Sequence, residues 1–345
     1  MNPHHPAPPR LPRPRRLLRA TFRTLALLLA FGVALLLLLA YWPMRRPPLV
    51  QARLSLGGYA DTVARIEEKI RSAPPEIEPE CRGQMLQHGR RTERVFVLMH
   101  GLSNCPAQFR AFGELLFRRG HNVLILRLPF HGARDRLTDW GRLSAQEMLD
   151  AANHAVDAAR VLGRRVTVVG LSVNGTVAAW LAQHRADVDE VALLAPFLAP
   201  SGLPEWAVAP VGRLVRRLPN QWRWWDPEKR ERGGNGRSYP RFPTHAVAEV
   251  LRVSGEVLEG ARTTAPRCGR ILVATTASDT SADLPLTRAL VQRWRRHRPD
   301  AVRAYEFPRE ARVDHDFIDP ASPVEQVELV YPKLLSLLLL KLDDG

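Results

Sequence analysis

The chain alternates between short, mostly apolar runs and longer stretches whose apolar residues recur at helical spacing. Val95–Met99, Asn122–Leu126, Val166–Val169, Val191–Ala195, Ile271–Ala274 and Val302–Phe307 have the length and apolar content of strands buried on both faces. Ala107–Arg119, Ser144–Leu162, Thr176–His184 and Leu286–His297 read as the helices between them. This alternation predicts an α/β fold, a mostly parallel, doubly wound sheet covered by helices on both faces. Upstream, Val63, Ile66 and Ile70 mark a short helix over Tyr59–Ile70, after which Pro74, Pro75 and Pro79 break the chain. One connection departs from the rhythm, since about 70 residues separate Pro196 from Arg270 and no compact domain leaves such a length structureless. Residues 201–267 are therefore expected to form a small helical cap inserted into a core of 81–200 and 268–345, with 43–80 as linker and short helix. Leu334–Leu342 reads as the packed face of a final helix.

A different pattern stands at the N-terminus. Leu25–Trp42 is an almost unbroken apolar run, and with Thr21–Thr24 it reaches the roughly 20 residues needed to cross a bilayer. Its apolar residues cover all faces, which suits lipid and not a protein core. Arg10, Arg13, Arg15, Arg16, Arg19 and Arg23 precede it, whereas only Arg45, Arg46 and Arg53 follow closely. By the positive-inside rule, residues 1–21 are a basic cytoplasmic tail, 22–42 a transmembrane helix, and the remainder is exported. A cleaved signal peptide is the alternative, but Trp42-Pro43-Met44-Arg45 offers no small-x-small cleavage site and no lipobox cysteine is present.

Composition narrows the function. Hydrophobic residues make up 45% and charged residues 25% of the 345, which excludes a mainly disordered or collagen-like chain. Three cysteines without a Cys-x-x-Cys pair exclude a disulfide-dense scaffold and a zinc ribbon. The net charge of +15 raises the question of nucleic acid, but Met1–Arg46 alone holds eight arginines and no acid. About half of the surplus thus belongs to the membrane flank and the rest is spread over the remaining chain, and without a recognition motif no nucleic-acid partner is expected.

The chemistry lies in the loops. Strand Val166–Val169 runs into Gly170-Leu171-Ser172-Val173-Asn174-Gly175 and then a helix, a sharp turn that lifts a serine hydroxyl out of the sheet. Small residues two before and two after the serine let strand and helix pass closely; Gly170 fits, and Asn174 departs from the pattern. His100-Gly101-Leu102-Ser103-Asn104 follows the first core strand, so the Leu102 N–H can join that of Val173 to cradle an oxyanion, with His100 as a structural histidine. A serine needs a base, itself oriented by an acid, in the order Ser, acid, His on this topology. Asp279 follows the strand Ile271–Ala274, with Asp283 as second candidate, and His315 is the only histidine beyond the last strand.

With these motifs in this order the chain resembles the α/β-hydrolase superfamily over about residues 81–340, and more narrowly bacterial monoacylglycerol lipases and carboxylesterases. The resemblance rests on His100–Pro106, Arg127-Leu128-Pro129-Phe130-His131-Gly132, the Ser172 elbow and Asp314–Pro320. It implies Ser172 as nucleophile, Asp279 as acid, His315 as base and His131-Gly132 as a structural loop, with no metal or cofactor. The departure is Asn174, where glycine is usual. The expected protein is a membrane-anchored esterase or lipase acting on a small-molecule or lipid ester. A peptidase or amidase, and a catalytically weak binding module suggested by Asn174, are the rivals; oligomeric state is left open. Trp222, Trp224 and Trp225 either pack the cap's own small core or line an acyl site or lipid-facing surface. An exported Cys81–Cys105 bridge would staple the oxyanion loop and leave Cys268 free; three reduced buried thiols are the other option.

Overall fold

A computed structural model describes residues 14–42, 48–51, 53–133, 139–224, 238–322 and 326–339. Contacts divide the chain into two units, 1–45 and 46–345. The first contributes one helix, α1 (Pro14–Tyr41), whose segment Thr21–Tyr41 has a mean hydropathy of 2.6 and is long and apolar enough to cross a membrane. Its apolar side chains are outward-facing, Phe22, Leu27, Leu29 and Phe31 among them, as expected of a helix with no polar face.

The second unit is built on a seven-stranded sheet. Its strands are β1 (Gln84–Leu86), β2 (Thr92–Met99), β3 (Asn122–Leu126), β4 (Gly163–Leu171), β5 (Glu190–Leu194), β8 (Arg270–Thr276) and β9 (Val302–Phe307), in the order β1-β3-β2-β4-β5-β8-β9. Every pairing is parallel except that of β1 with β3 at the edge. The short edge strand β1 was not expected, because three half-buried residues carry no periodicity. Alternate residues of each central strand feed two separate cores. Val95, Val97, Val166, Val168, Val191 and Leu193 pack with α4 (Ala145–Leu162), α5 (Val173–His184) and α8 (Leu284–His297). Phe96, Leu98, Val169, Leu171, Ala192 and Leu194 pack with α3 (Ala107–Arg118) and α9 (Val327–Leu339) on the other face. Burial on both sides is why these strands read as continuous apolar runs. Helix starts obey local rules: Ser144 and Glu147 form a reciprocal capping box at α4. The short upstream helix is α2 (Tyr59–Arg71).

Within 201–267 the chain forms α6 (Glu205–Arg217), a two-stranded antiparallel ribbon of β6 (Trp222–Trp224) and β7 (Arg241–Pro243), and α7 (Thr244–Thr263). The ribbon adds strand to a segment expected to be helical. Val253, Val257 and Ala261 of α7 are fully buried in the same core as α5. Trp225 lies outside the described residues.

Candidate active site

The C-terminal ends of β2, β4, β8 and β9 open onto one edge of the sheet, where open α/β sheets place their ligands. Between β4 and α5 the backbone turns at Ser172 with φ 55° and ψ −117°, a conformation a non-glycine residue adopts only when its surroundings enforce it. The enforcement is visible: the Ser172 N–H donates to Leu194 O at 2.9 Å, and its carbonyl accepts from Phe197 N at 3.0 Å and Thr176 N at 3.2 Å. Ser172 Oγ lies 2.9 Å from His315 Nε2, and His315 Nδ1 lies 2.7 Å from Asp279 Oδ2. The second oxygen of Asp279 accepts from Ser281 N at 2.8 Å and Ala282 N at 3.1 Å. The structure thus brings the three expected residues into one relay from β4, β8 and β9. Asp283, the other acidic candidate, is used elsewhere: its oxygens accept from Leu286 N at 2.8 Å, capping α8, and from Gly202 N at 3.0 Å.

Electrostatics follow from this placement. Burial alone would lower the pKa of His315, but the hydrogen bond and charge of Asp279, aided by Asp316 and Asp314, leave it above the ordinary imidazole value. Burial opposes the charge of Asp279 as well, and the bond to His315 and the two backbone donors outweigh it, so its pKa is lowered. Asp316, half-buried beside the base, has its pKa raised by burial.

Opposite the serine lies the loop after β2. Its peptide groups are held nearly one by one. The His100 carbonyl accepts from Asn174 Nδ2, and the Gly101 N–H donates to Gln108 Oε1 at 2.8 Å. The Gly101 carbonyl faces His100 Nδ1 at 2.8 Å; Leu128 N donates to His100 Nε2 at 3.2 Å, which puts the ring proton on Nδ1. Burial pushes His100 down to about 3, so the ring stays neutral in this structural role. His131, lowered by burial to about 4, sits between the carbonyls of Pro129 (2.8 Å) and Leu102 (2.6 Å). The Ser103 carbonyl accepts from Tyr239 N at 2.6 Å. Among the described residues, no hydrogen bond uses the N–H of Leu102 or of Val173, the two expected oxyanion donors.

The departure at Asn174 has a local account. A Cβ on Gly170 would strike Asn174 O at 2.1 Å, and one on Gly175 would strike Pro196 Cα at 2.9 Å. Gly170 and Gly175 therefore supply the close passage, and the side chain of Asn174 turns toward the His100 carbonyl. Further residues of this edge had no legible signal in the sequence, since their partners lie far along the chain. Asn104 Nδ2 donates to Asp319 Oδ2 at 3.0 Å and Gln108 Nε2 to Asp316 Oδ1 at 3.3 Å, tying the loop after β2 to the loop that carries His315. Cys105 is bonded to Cys81, and Cys268 is free and buried. Of the cap tryptophans, Trp222 is half-buried with its ring edge-on to Trp140 at 5.7 Å, and Trp224 lies under the Arg241 guanidinium at 5.0 Å. No group of three or more His, Cys, Asp or Glu is placed to hold a metal among the described residues.

Comparison with known proteins bears on the fold. The sequence profile of a family described as alpha/beta hydrolase fold matches residues 94–226. A search of curated proteins returned no match. Among solved structures, the monoacylglycerol lipase of Paleococcus ferrophilus is 17% identical with a TM-score of 0.58, covering 74% of this chain and 97% of its own. A soluble variant of monoglyceride lipase from Saccharomyces cerevisiae is 10% identical with a TM-score of 0.55, covering 74% and 90%. A metagenome-derived lipolytic enzyme is 16% identical with a TM-score of 0.52, covering 76% and 99%. Sheet order, the strained elbow after β4 and these likenesses establish that the chain has the α/β-hydrolase fold.

Proposed function

We propose that the protein is a membrane-anchored serine hydrolase that cleaves carboxylic esters. The observation that carries the reading is the unbroken relay Ser172–His315–Asp279 beside two unused backbone N–H groups. In this reading His315 removes the Ser172 proton as the hydroxyl attacks the ester carbonyl. Leu102 and Val173 donate to the oxyanion of the tetrahedral intermediate, where such donors stabilise the transition state by several kcal/mol, about 3 for one of them. Asp279 holds the imidazole in the tautomer that accepts at Nε2 and favours the cation that forms. His315 then protonates the departing alcohol, and water, activated by the same base, releases the acid from the serine ester. The lipolytic activity named for two of the similar structures supports an ester over an amide.

The anchor belongs to the same proposal. Residues 22–42 form an uncleaved span, the arginine-rich tail stays in the cytoplasm, and the catalytic unit lies on the far side. A disulfide between Cys81 and Cys105 supports that side, because cytosolic thiols are kept reduced. The test is labelling by a fluorophosphonate, followed by rates on nitrophenyl esters of increasing acyl length with an anilide as control. Labelling that depends on Ser172, with esters turned over faster than the anilide, is expected; an unlabelled, inert protein would overturn the reading.

A further inference from the structure

We infer that Asn174 is a positioning residue that sets the distance between the two halves of the oxyanion hole. The inference rests on the hydrolase reading above and deepens it. One donor of the hole, the Val173 N–H, begins α5; the other, the Leu102 N–H, belongs to the loop after β2. These elements are 71 positions apart in sequence, and nothing in the strand ladder fixes the loop once β2 has ended at Met99. Asn174 closes that gap directly. It is the residue after Val173, and its Nδ2 donates to the carbonyl of His100 in the opposite loop.

The consequence for Leu102 follows from peptide planarity. The His100–Gly101 peptide is gripped on both sides, its carbonyl by Asn174 and its N–H by Gln108 Oε1 at 2.8 Å. The next peptide has its carbonyl held by His100 Nδ1 at 2.8 Å. In a trans peptide the N–H points opposite to the carbonyl, so the Leu102 N–H is turned away from the His100 ring. Asn174 thus anchors the first peptide of a two-peptide lever whose free end is a hole donor. A glycine at this position has no donor to offer, and the loop would be held on that peptide by Gln108 alone.

The side chain is also kept at a cost. Asn174 is fully buried, and among the described residues its Oδ1 has no hydrogen-bond partner. A buried carbonyl oxygen without a partner costs stability, and the bond from Nδ2 of the same amide to the His100 carbonyl offsets that cost. Asn174, on sequence grounds the residue that suggested a weakened site, is here part of what preorganises it.

The experiment compares the full chain with Asn174→Gly, which installs the usual residue, and Asn174→Leu, which keeps the branched shape without the donor. Each is titrated with a fluorophosphonate so that rates are per reactive serine. A trifluoromethyl ketone, whose adduct on the serine carries an oxyanion, measures the hole independently of turnover. We expect both variants to lose about tenfold or more in kcat, below the 10²–10³ of a deleted donor, with KM changed less than about twofold. Ketone affinity should fall by the same factor as kcat/KM. Variants within twofold of the parent in kcat, or slower variants that bind the ketone unchanged, would overturn the inference. Because Asn174→Gly introduces no bulk, it decides the question if Asn174→Leu fails to fold. If the parent chain itself neither reacts with the fluorophosphonate nor hydrolyses esters, the hydrolase reading fails instead.

Discussion

At the scale of single residues, the relay makes sharp demands. Ser172→Ala and His315→Ala should each lower kcat by about 10⁴-fold or more, and Asp279→Asn by about 10⁴-fold through the wrong tautomer. Asp283→Asn should leave the rate within a few-fold and lower Tm, because that carboxylate caps α8 and holds Gly202. Rates and melts on the four variants check the assignment. The pH profile follows from the same groups. His315 must be neutral to act as a base, and its pKa lies above the ordinary 6.5. The acid limb of kcat/KM should therefore have its midpoint above pH 6.5, activity rising with pH through it. Asp316→Asn removes one of the charges that raises His315 and should move the midpoint to lower pH. Stability runs the other way: with the folded pKa above the unfolded one, the His315–Asp279 attraction contributes fully below 6.5 and is lost as pH climbs through the folded pKa.

At the scale of elements, loops are held by cross-links the strands do not provide. The Cys81–Cys105 bridge closes a separation of 24 residues immediately before α3 and next to Asn104, which bonds Asp319. Replacing both cysteines by serine should cost about 3 kcal/mol in stability, seen as a fall in Tm, and the parent should show the same fall when melted with a reductant. Esterase activity at low temperature should drop only where the oxyanion loop loosens, so a larger loss in kcat than in KM is expected. The ribbon β6–β7 separates two tryptophans by role. Trp222 packs edge-on against the fully buried Trp140, which in turn stacks on Tyr239 at 5.2 Å. Trp222→Ala should therefore lower Tm and slow short and long esters together. Trp224, whose ring lies under the Arg241 guanidinium, should tolerate alanine in Tm; a selective loss on long-chain esters would assign it to acyl or lipid contact.

At the scale of the whole molecule, the proposed membrane span gives the two units different solvents. A helix with a mean hydropathy of 2.6 and a sheet protein with its cores closed on both faces do not need one another to satisfy their apolar surface. A chain starting at residue 46 should be recovered without detergent, with kcat on soluble short-chain esters within about twofold of the full protein. The full protein should sediment with membranes, and added protease should reach the catalytic unit in intact spheroplasts. Digestion only after lysis would place it on the cytoplasmic side.

Much of this was legible before any coordinates. The limits of β3 coincide with the run Asn122–Leu126 because a strand buried on both faces is mostly apolar and ends where polar loops begin; those of the edge strand β9 coincide with Val302–Phe307 although Arg303 and Glu306 interrupt its apolar residues. The order of elbow, acid and histidine was equally readable, since each sits at the end of a strand that composition announces. Three things were decided only by tertiary structure. The choice between Asp279 and Asp283, four positions apart on one loop, depended on which oxygen meets His315 across 36 residues. The pairing of Cys81 with Cys105, and the grip of Gln108 on Gly101 and Asp316, depended on loops converging at one edge of the sheet. Asn174 was readable as a departure but not as a contact. A hydrogen bond to a carbonyl 74 residues away leaves no trace in local pattern, because local pattern records only which face of an element is dry.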